Sequence, residues 1–247
     1  MNVRGKVVLI TGGTKGIGAA TALKLARDGA HVALVARDIS DDAISREISG
    51  LDVSCILLAA DLSKEDECNR VVAETVKQLG GVDILVHSAG GPAMGSLLKG
   101  ARDVWYSAFD IHVHAVFHLC AAAAPEMIKR NGGAIVLISS AAGIRGVKNA
   151  IAYATVKGAL IQMTRALAFE LSEHNIKVNC VSPGVIRTRF QNHLTAEQVA
   201  NNINNRIPMK REGQPEDVAD VIEMLIKNEF ITGENVVIDG GMTMRIV

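Results

Sequence analysis

The chain has 247 residues; 49% are hydrophobic, 3% are aromatic, and 26 basic side chains balance 26 acidic ones. That length holds one large domain or two small ones, and the apolar share supplies a sizeable core built mainly from Ala, Val, Ile and Leu. Zero net charge without a basic tract argues against a nucleic-acid partner, no apolar run reaches membrane-spanning length, and no charged segment followed by an apolar one marks a signal peptide.

Residues 6–11, KVVLIT, are a short β-branched apolar run. It leads into Gly12-Gly13-Thr14-Lys15-Gly16-Ile17-Gly18 and an Ala/Leu-rich helix over 19–28, closed by Gly29. Strand, glycine-rich turn and helix in that order make a dinucleotide site: glycines permit a tight turn, and the helix N-terminus receives a pyrophosphate. A second buried strand, HVALVA at 31–36, ends in Ala36-Arg37-Asp38. An acid at this place holds the ribose 2′-OH of NAD, whereas an Arg accommodates the 2′-phosphate of NADP. The small Ala36, Arg37, and Lys15 in the glycine loop favour NADP; a shift of register would make Asp38 the NAD acid instead.

A polar helix is expected over 41–49 and a third strand over 53–58. The strand ends at Asp61-Leu62, where Asp61 either touches an adenine or caps the helix at 64–79. A fourth strand, 82–87, runs into Ser88-Ala89-Gly90-Gly91, small enough to pass close to a ligand. A long helix over 103–130, stopped by Asn131-Gly132-Gly133, carries His112, His114 and His118. Without the HExxH pattern or a nearby Cys, these histidines read as packing residues, and no metal site is expected. The cysteines, Cys55, Cys68, Cys120 and Cys180, are scattered without a CxxC pair, so reduced thiols and a cytoplasmic location are expected.

A fifth strand over 134–140 ends in Ser139-Ser140, and a helix over 151–172 carries Tyr153 and Lys157. Four residues apart, these two share a helix face. A free phenol titrates at about 10 and is a poor acid or base at neutral pH. A neighbouring cation lowers that value, as a proton donor to a carbonyl requires. The small side chains of the same helix suggest close packing, with another subunit as a candidate partner. A sixth strand over 176–181 ends in Ser182-Pro183-Gly184; the polar, Asn-rich stretch 190–213 is a candidate lid, with 187–213 as its span. An amphipathic helix over Pro215–Lys227 and a last strand over 235–239 complete the pattern before Gly240-Gly241.

Strands alternating with helices predict an α/β, Rossmann-type doubly wound parallel sheet of about seven strands, covered on both faces, as one domain over 1–247. The ordered matches Thr11-Gly12-x-x-x-Gly16-x-Gly18, Asp61-Leu62, Ala89-Gly90, Ser140, Tyr153-x-x-x-Lys157, Pro183-Gly184, Ile231-Thr232-Gly233 and Asp239-Gly240-Gly241 resemble the short-chain dehydrogenase/reductase family. The spacing of thirteen positions from Ser140 to Tyr153 is part of that resemblance. It implies Tyr153 as acid/base and Ser140 as hydrogen-bond partner of the substrate oxygen. Lys157 would hold the nicotinamide ribose and lower the Tyr153 pKa. Gly12, Thr14, Lys15, Gly16, Ile17, Gly18, Arg37, Asp61, Leu62, Ala89, Gly90, Pro183, Gly184, Ile186 and Thr188 would line the cofactor, the last two at the carboxamide.

Two positions depart from the family pattern. His87-Ser88 stands where Asn-Asn is usual, which questions the packing of the fourth strand. His112 stands where the long helix usually has an Asn of the proton relay. Its backbone carbonyl would serve there, or a neutral imidazole with a pKa near 6.5 would join the relay and add a step to the pH profile. The reading is a reductase of a small ketone or aldehyde, or the reverse alcohol dehydrogenase, preferring NADP(H) over NAD(H), most similar in flavour to 3-oxoacyl-carrier-protein reductases. The family implies a homotetramer. An NAD-dependent sugar or polyol dehydrogenase and a catalytically idle NADP-binding sensor or scaffold are the alternatives. Arg145, Lys148, Arg187 and Arg189 hint at an anionic substrate.

Overall fold

In the computed structural model, described over residues 1–40, 43–191 and 194–244, the apolar runs form one parallel sheet of seven strands. The strands are β1 (Val7–Thr11), β2 (His31–Ala36), β3 (Cys55–Ala59), β4 (Ile84–His87), β5 (Gly133–Ile138), β6 (Ile176–Pro183) and β7 (Asn235–Ile238). Their order is β3-β2-β1-β4-β5-β6-β7. The helices between them are α1 (Gly16–Arg27), α2 (Ala43–Ser49), α3 (Glu65–Leu79), α4 (Ala101–Phe109), α5 (Ala115–Lys129), α6 (Ile151–Leu171), α7 (Ala196–Asn201) and α8 (Pro215–Lys227). Side chains alternate across each strand. Leu9, Leu85, Ile135 and Leu137 pack with Val71, Leu119, Met127 and Leu160 of α3, α5 and α6. Val8, Ile10, Val86 and Val136 pack on the other face with Leu25 of α1 and Ile222 and Leu225 of α8. Burial on both faces explains why the strands read as unbroken apolar runs.

The order reverses between β1 and β4, whose neighbours in sequence lie on opposite sides. In such sheets that crevice, beyond the carboxyl ends of the strands, receives ligands. Below it, at the amino ends, Asp83 is buried in a charged clamp. It accepts from Arg130 Nε at 2.8 Å, from the Val7 amide at 2.9 Å and from Lys6 Nζ at 3.1 Å. Burial pushes the Asp83 carboxyl up, but these three donors outweigh it and hold the pKa below the ordinary value.

Several boundaries differ from the sequence expectation. The first helix begins inside the glycine motif, at Gly16. The third strand starts at Cys55, because the Val53 amide turns back to the Leu51 carbonyl at 2.9 Å. The start of the polar helix expected at 41 lies outside the described residues, where α2 is seen from Ala43. The long helix is interrupted by one π turn, Asp110–His114, in which the Ala115 amide reaches the Asp110 carbonyl. Taken together, Ala101–Lys129 is long and apolar enough to cross a bilayer, contrary to the expectation. Its apolar face instead packs on the sheet through Leu119, Ala123 and Met127.

The stretch expected as a lid holds a short turn at Arg189–Gln191, α7 and a second π turn, Asn202–Arg206; Asn192 and His193 within it lie outside the described residues. α7 starts with a capping box: Thr195 Oγ1 accepts from the Gln198 amide at 3.2 Å and the Thr195 amide donates to Gln198 Oε1 at 2.9 Å.

Candidate active site

A cavity of about 880 Å³ opens over the β1–β4 crevice, and every expected site residue except Gly18 lines it. The glycine loop forms its floor. Gly12 has φ +64°, and a Cβ there would sit 2.8 Å from the Ser88 carbonyl oxygen. Gly18 works from behind: its Cβ would lie 2.2 Å from the Gly12 carbonyl oxygen, so the missing side chain lets α1 press against the turn. Lys15 occupies the N-cap of α1 and supplies no side-chain cap. The first amides of α1 therefore have no side-chain acceptor from that position, which suits an anionic ligand. Thr188 leans on the loop from the opposite side, its Cγ2 3.2 Å from where a Gly16 Cβ would stand. Ile186 is buried and pairs with Gly213 beside Pro183 and Gly184.

At the far end of β2, Arg37 and Asp38 are both exposed on the cavity rim. The Asp38 carboxylate is engaged by its own turn, accepting from the Ser40 amide at 2.9 Å. Asp61 likewise accepts from the Ser63 hydroxyl at 2.8 Å and the Ser63 amide at 3.2 Å, while lining the cavity with the buried Leu62. Asp61 is therefore not the cap of the following helix, whose N-cap position is Lys64. Ala89 is fixed by its amide, which donates to Thr11 Oγ1 at 3.2 Å.

Ser140, Tyr153 and Lys157 meet at the opposite end. Ser140 Oγ accepts from the Ala142 amide at 3.1 Å, which leaves its own proton to donate. Lys157 is buried, donates from Nζ to the Ile138 carbonyl at 2.7 Å and lies 5.7 Å from the centre of the Tyr153 ring. The expectation that Lys157 depresses the Tyr153 pKa does not hold. Burial raises the Tyr153 pKa, and the opposing influence is the Ser140 hydroxyl rather than the lysine. Burial also pushes Lys157 down, to about 8, so the cation itself is costly in this setting.

His112 sits inside the π turn and is buried. Its Nε2 lies 3.0 Å from the Gly91 carbonyl oxygen. A carbonyl only accepts, so Nε2 carries the proton and Nδ1 is a bare acceptor, buried without a partner. The ring meets Tyr153 edge-on, with centroids 5.9 Å apart. It also lies against Gly90, where a Cβ would stand 2.2 Å from His112 Cε1. Burial, then the charge of Lys157, pushes the His112 pKa to about 2. A titration step from this imidazole near neutral pH is therefore not supported: the ring stays neutral.

His87 is also buried, 3.0 Å from Thr11 Oγ1 through Nδ1, and burial takes its pKa to about 3. The packing of the fourth strand is undisturbed, since His87 pairs in register with both Thr11 and Leu137. His114 and His118 turn outward to Asp110 and Glu65, each at 3.7 Å.

A second cavity, of about 420 Å³, shares Ser140, Tyr153 and Phe190 with the first. Phe190, inside the stretch expected as a lid, lines both; its ring centre lies 6.0 Å from that of Tyr153. Asn202 and Arg206 of the same stretch also line the cavity wall, whereas Met242 and Thr243 there were missed by sequence reasoning. Lys148 lines neither cavity, and Arg187 is neutralised by the buried Glu212 at 2.6 Å.

A family model described as "Enoyl-(Acyl carrier protein) reductase" matches residues 12–243. The chain is 37% identical over 246 residues to the "Dehydrogenase/reductase SDR family member 4" of Homo sapiens, covering 98% of this chain and 88% of that protein. It is 36% identical over 249 residues to the "3-oxoacyl-[acyl-carrier-protein] reductase FabG" of Thermotoga maritima, covering 99% and 100%. Among solved structures it superposes on the L-sorbose reductase of Gluconobacter frateurii, complexed with NADPH and L-sorbose, with a TM-score of 0.92 and 29% identity over the whole of both chains. The chain belongs to the short-chain dehydrogenase/reductase family. It is an oxidoreductase of CH–OH groups that uses NAD(P).

Proposed function

We propose that the protein reduces a small ketone or aldehyde, or oxidises the corresponding alcohol, with NADP(H) preferred over NAD(H). The carrying observation is the single long cavity with the glycine loop and Arg37 at one end and the hydroxyls of Ser140 and Tyr153 at the other. The open amides at the start of α1 suit a pyrophosphate. Arg37 and Lys15 would hold a 2′-phosphate, while one oxygen of Asp38 already accepts from its own turn. Ile186 and Thr188 would meet the carboxamide. The cofactor, when bound, supplies or accepts the hydride.

The remaining chemistry belongs to the chain. Negative charge builds on the substrate oxygen during reduction, and two hydroxyl donors stabilise it there. Ser140 donates and holds the oxygen in place. Tyr153 donates and then delivers its proton. A phenol pKa kept high by burial ensures that Tyr153 enters the reduction protonated, which is the form an acid needs. Lys157, its Nζ 5.7 Å from the centre of the Tyr153 ring, would hold the nicotinamide ribose beside it. His112 contributes as a neutral ring that ties the Gly90–Gly91 backbone to the π turn and braces Tyr153.

A homotetramer is supported by exposed Tyr106, Phe117 and Phe169 on α4, α5 and α6. The free cysteines support a reducing, cytoplasmic setting. The likeness to a sugar reductase puts ketoses and polyols on the substrate panel. Initial rates with NADPH and NADH over a panel of ketones, aldehydes and ketoses test the proposal. NADPH oxidation on at least one carbonyl, faster than with NADH, is expected; cofactor binding without turnover on any of them would favour an idle binding protein.

A further inference from the structure

Resting on the reductase reading, we propose that the substrate carries an anionic group, a carboxylate, held by Arg145 and Arg206 at the mouth of the second cavity. Ser140 and Tyr153 stand in this cavity, so a carbonyl held by them has the rest of its molecule inside it. Met94, Val147, Phe190, Leu194 and Met242 give it apolar wall, and Gln191, Asn202, Asn205 and Thr243 give it polar wall. Its charged lining residues are Arg145 and Arg206, with no Asp or Glu among the described residues that line it.

Other arginines of this region are neutralised: Arg187 by Glu212 at 2.6 Å and Arg211 by Asp217 at 2.7 Å. Arg145 and Arg206 are treated differently. Arg145 Nε donates to the Thr243 carbonyl at 3.0 Å, and Arg206 Nη1 donates to Asn202 Oδ1 at 2.8 Å. Both acceptors are neutral, so they fix the guanidinium groups without cancelling their charge. Asn202 is itself buried, 5% exposed, so Arg206 is anchored from a fixed point of the π turn. Among the described residues, neither arginine has a carboxylate within ion-pair distance. Each keeps free N–H groups in the planar fork that matches a carboxylate. A cavity lined in part by apolar side chains, with a proton donor in its wall and two exposed cations without a carboxylate partner, fits an oxo acid better than a neutral ketone.

The probes are 5-oxohexanoate and its methyl ester as substrates, and hexanoate and hexanamide as ligands of the NADP-saturated enzyme, measured by calorimetry. The wild type should prefer the oxo acid to its ester in kcat/KM by about ten- to a hundred-fold, the effect of a charge-assisted contact. Arg145→Gln with Arg206→Gln should remove that preference, raising KM for the acid with little change in kcat and leaving the ester within about twofold. Hexanoate should bind more tightly than hexanamide, and only while the arginines are present. An ester used as well as the acid, with hexanoate and hexanamide bound equally, would overturn the anion site and leave the reductase reading standing. An equal loss for acid and ester in the double variant would likewise overturn it, as the mark of a structural role. Hexanoate held through the arginines in a protein that turns over no carbonyl would support the anion site and refute the reductase reading.

Discussion

Two buried histidines should make this protein unusually sensitive to mild acid. His87 and His112 stay neutral in the fold, with pKa values of about 3 and about 2, whereas an unfolded histidine titrates near 6.5. Folding depresses both values, so the contribution to stability is complete above pH 6.5 and is lost as pH falls toward the folded values. Once well below pH 6.5, each ring makes the unfolded chain bind one more proton than the native one, a slope of about 1.4 kcal/mol per pH unit. From about pH 7.5 to 5 each ring then costs about 2 kcal/mol, and the pair about 4, against a total stability of about 5–15 kcal/mol for a typical protein. Carboxylates such as Asp83 titrate below this window. Urea unfolding at fixed protein concentration across that pH range measures the loss. His87→Asn and His112→Asn should each halve it, and the double variant should remove most of it, whatever the variants do to stability at pH 7.5. Wild-type and double-variant curves that run parallel would show that the rings are protonated in the fold and would refute the reasoning.

Other consequences are more local. Arg37→Ala should weaken NADPH binding by about 1.5–3 kcal/mol, the value of a charge-assisted hydrogen bond, and leave NADH nearly unchanged; the two dissociation constants, measured together, decide it. Asp83→Asn leaves Arg130 and Lys6 without their buried partner and should cost about 3–5 kcal/mol in urea unfolding, with cofactor affinity preserved in the folded fraction because the clamp lies at the other end of the strands.

The strands and the cofactor end of the site were legible because their causes are local. KVVLIT and HVALVA are buried on both faces, and two-sided burial leaves an unbroken apolar run. Gly12 and Gly18 are glycines because backbone passes within 3 Å of where a side chain would begin, and the spacing of such positions is visible in sequence. Tyr153 and Lys157 share a face by helical arithmetic alone.

What the spacing did not reveal was the electrostatics. The sign of the Tyr153 shift depends on burial outweighing the Ser140 hydrogen bond, and Lys157 donates a hydrogen bond to the Ile138 carbonyl from a strand nineteen residues away. The sequence left open whether the His112 imidazole titrates, because its depth inside a π turn, against Gly90, is a tertiary fact. The second cavity was legible only in part, through the stretch expected as a lid and the hint carried by Arg145. Met94, Arg145, Arg206 and Thr243 come from four distant segments, and only the closed fold brings them to one wall.

The central claim is that Tyr153 supplies the proton in carbonyl reduction, and Tyr153→Phe tests it most directly because the ring stays and only the hydroxyl goes. On a carbonyl substrate of the wild type, followed by NADPH oxidation, kcat should fall by about 10²–10⁴, while the dissociation constant for NADPH stays within about twofold. Near wild-type turnover by the Phe variant would contradict the account.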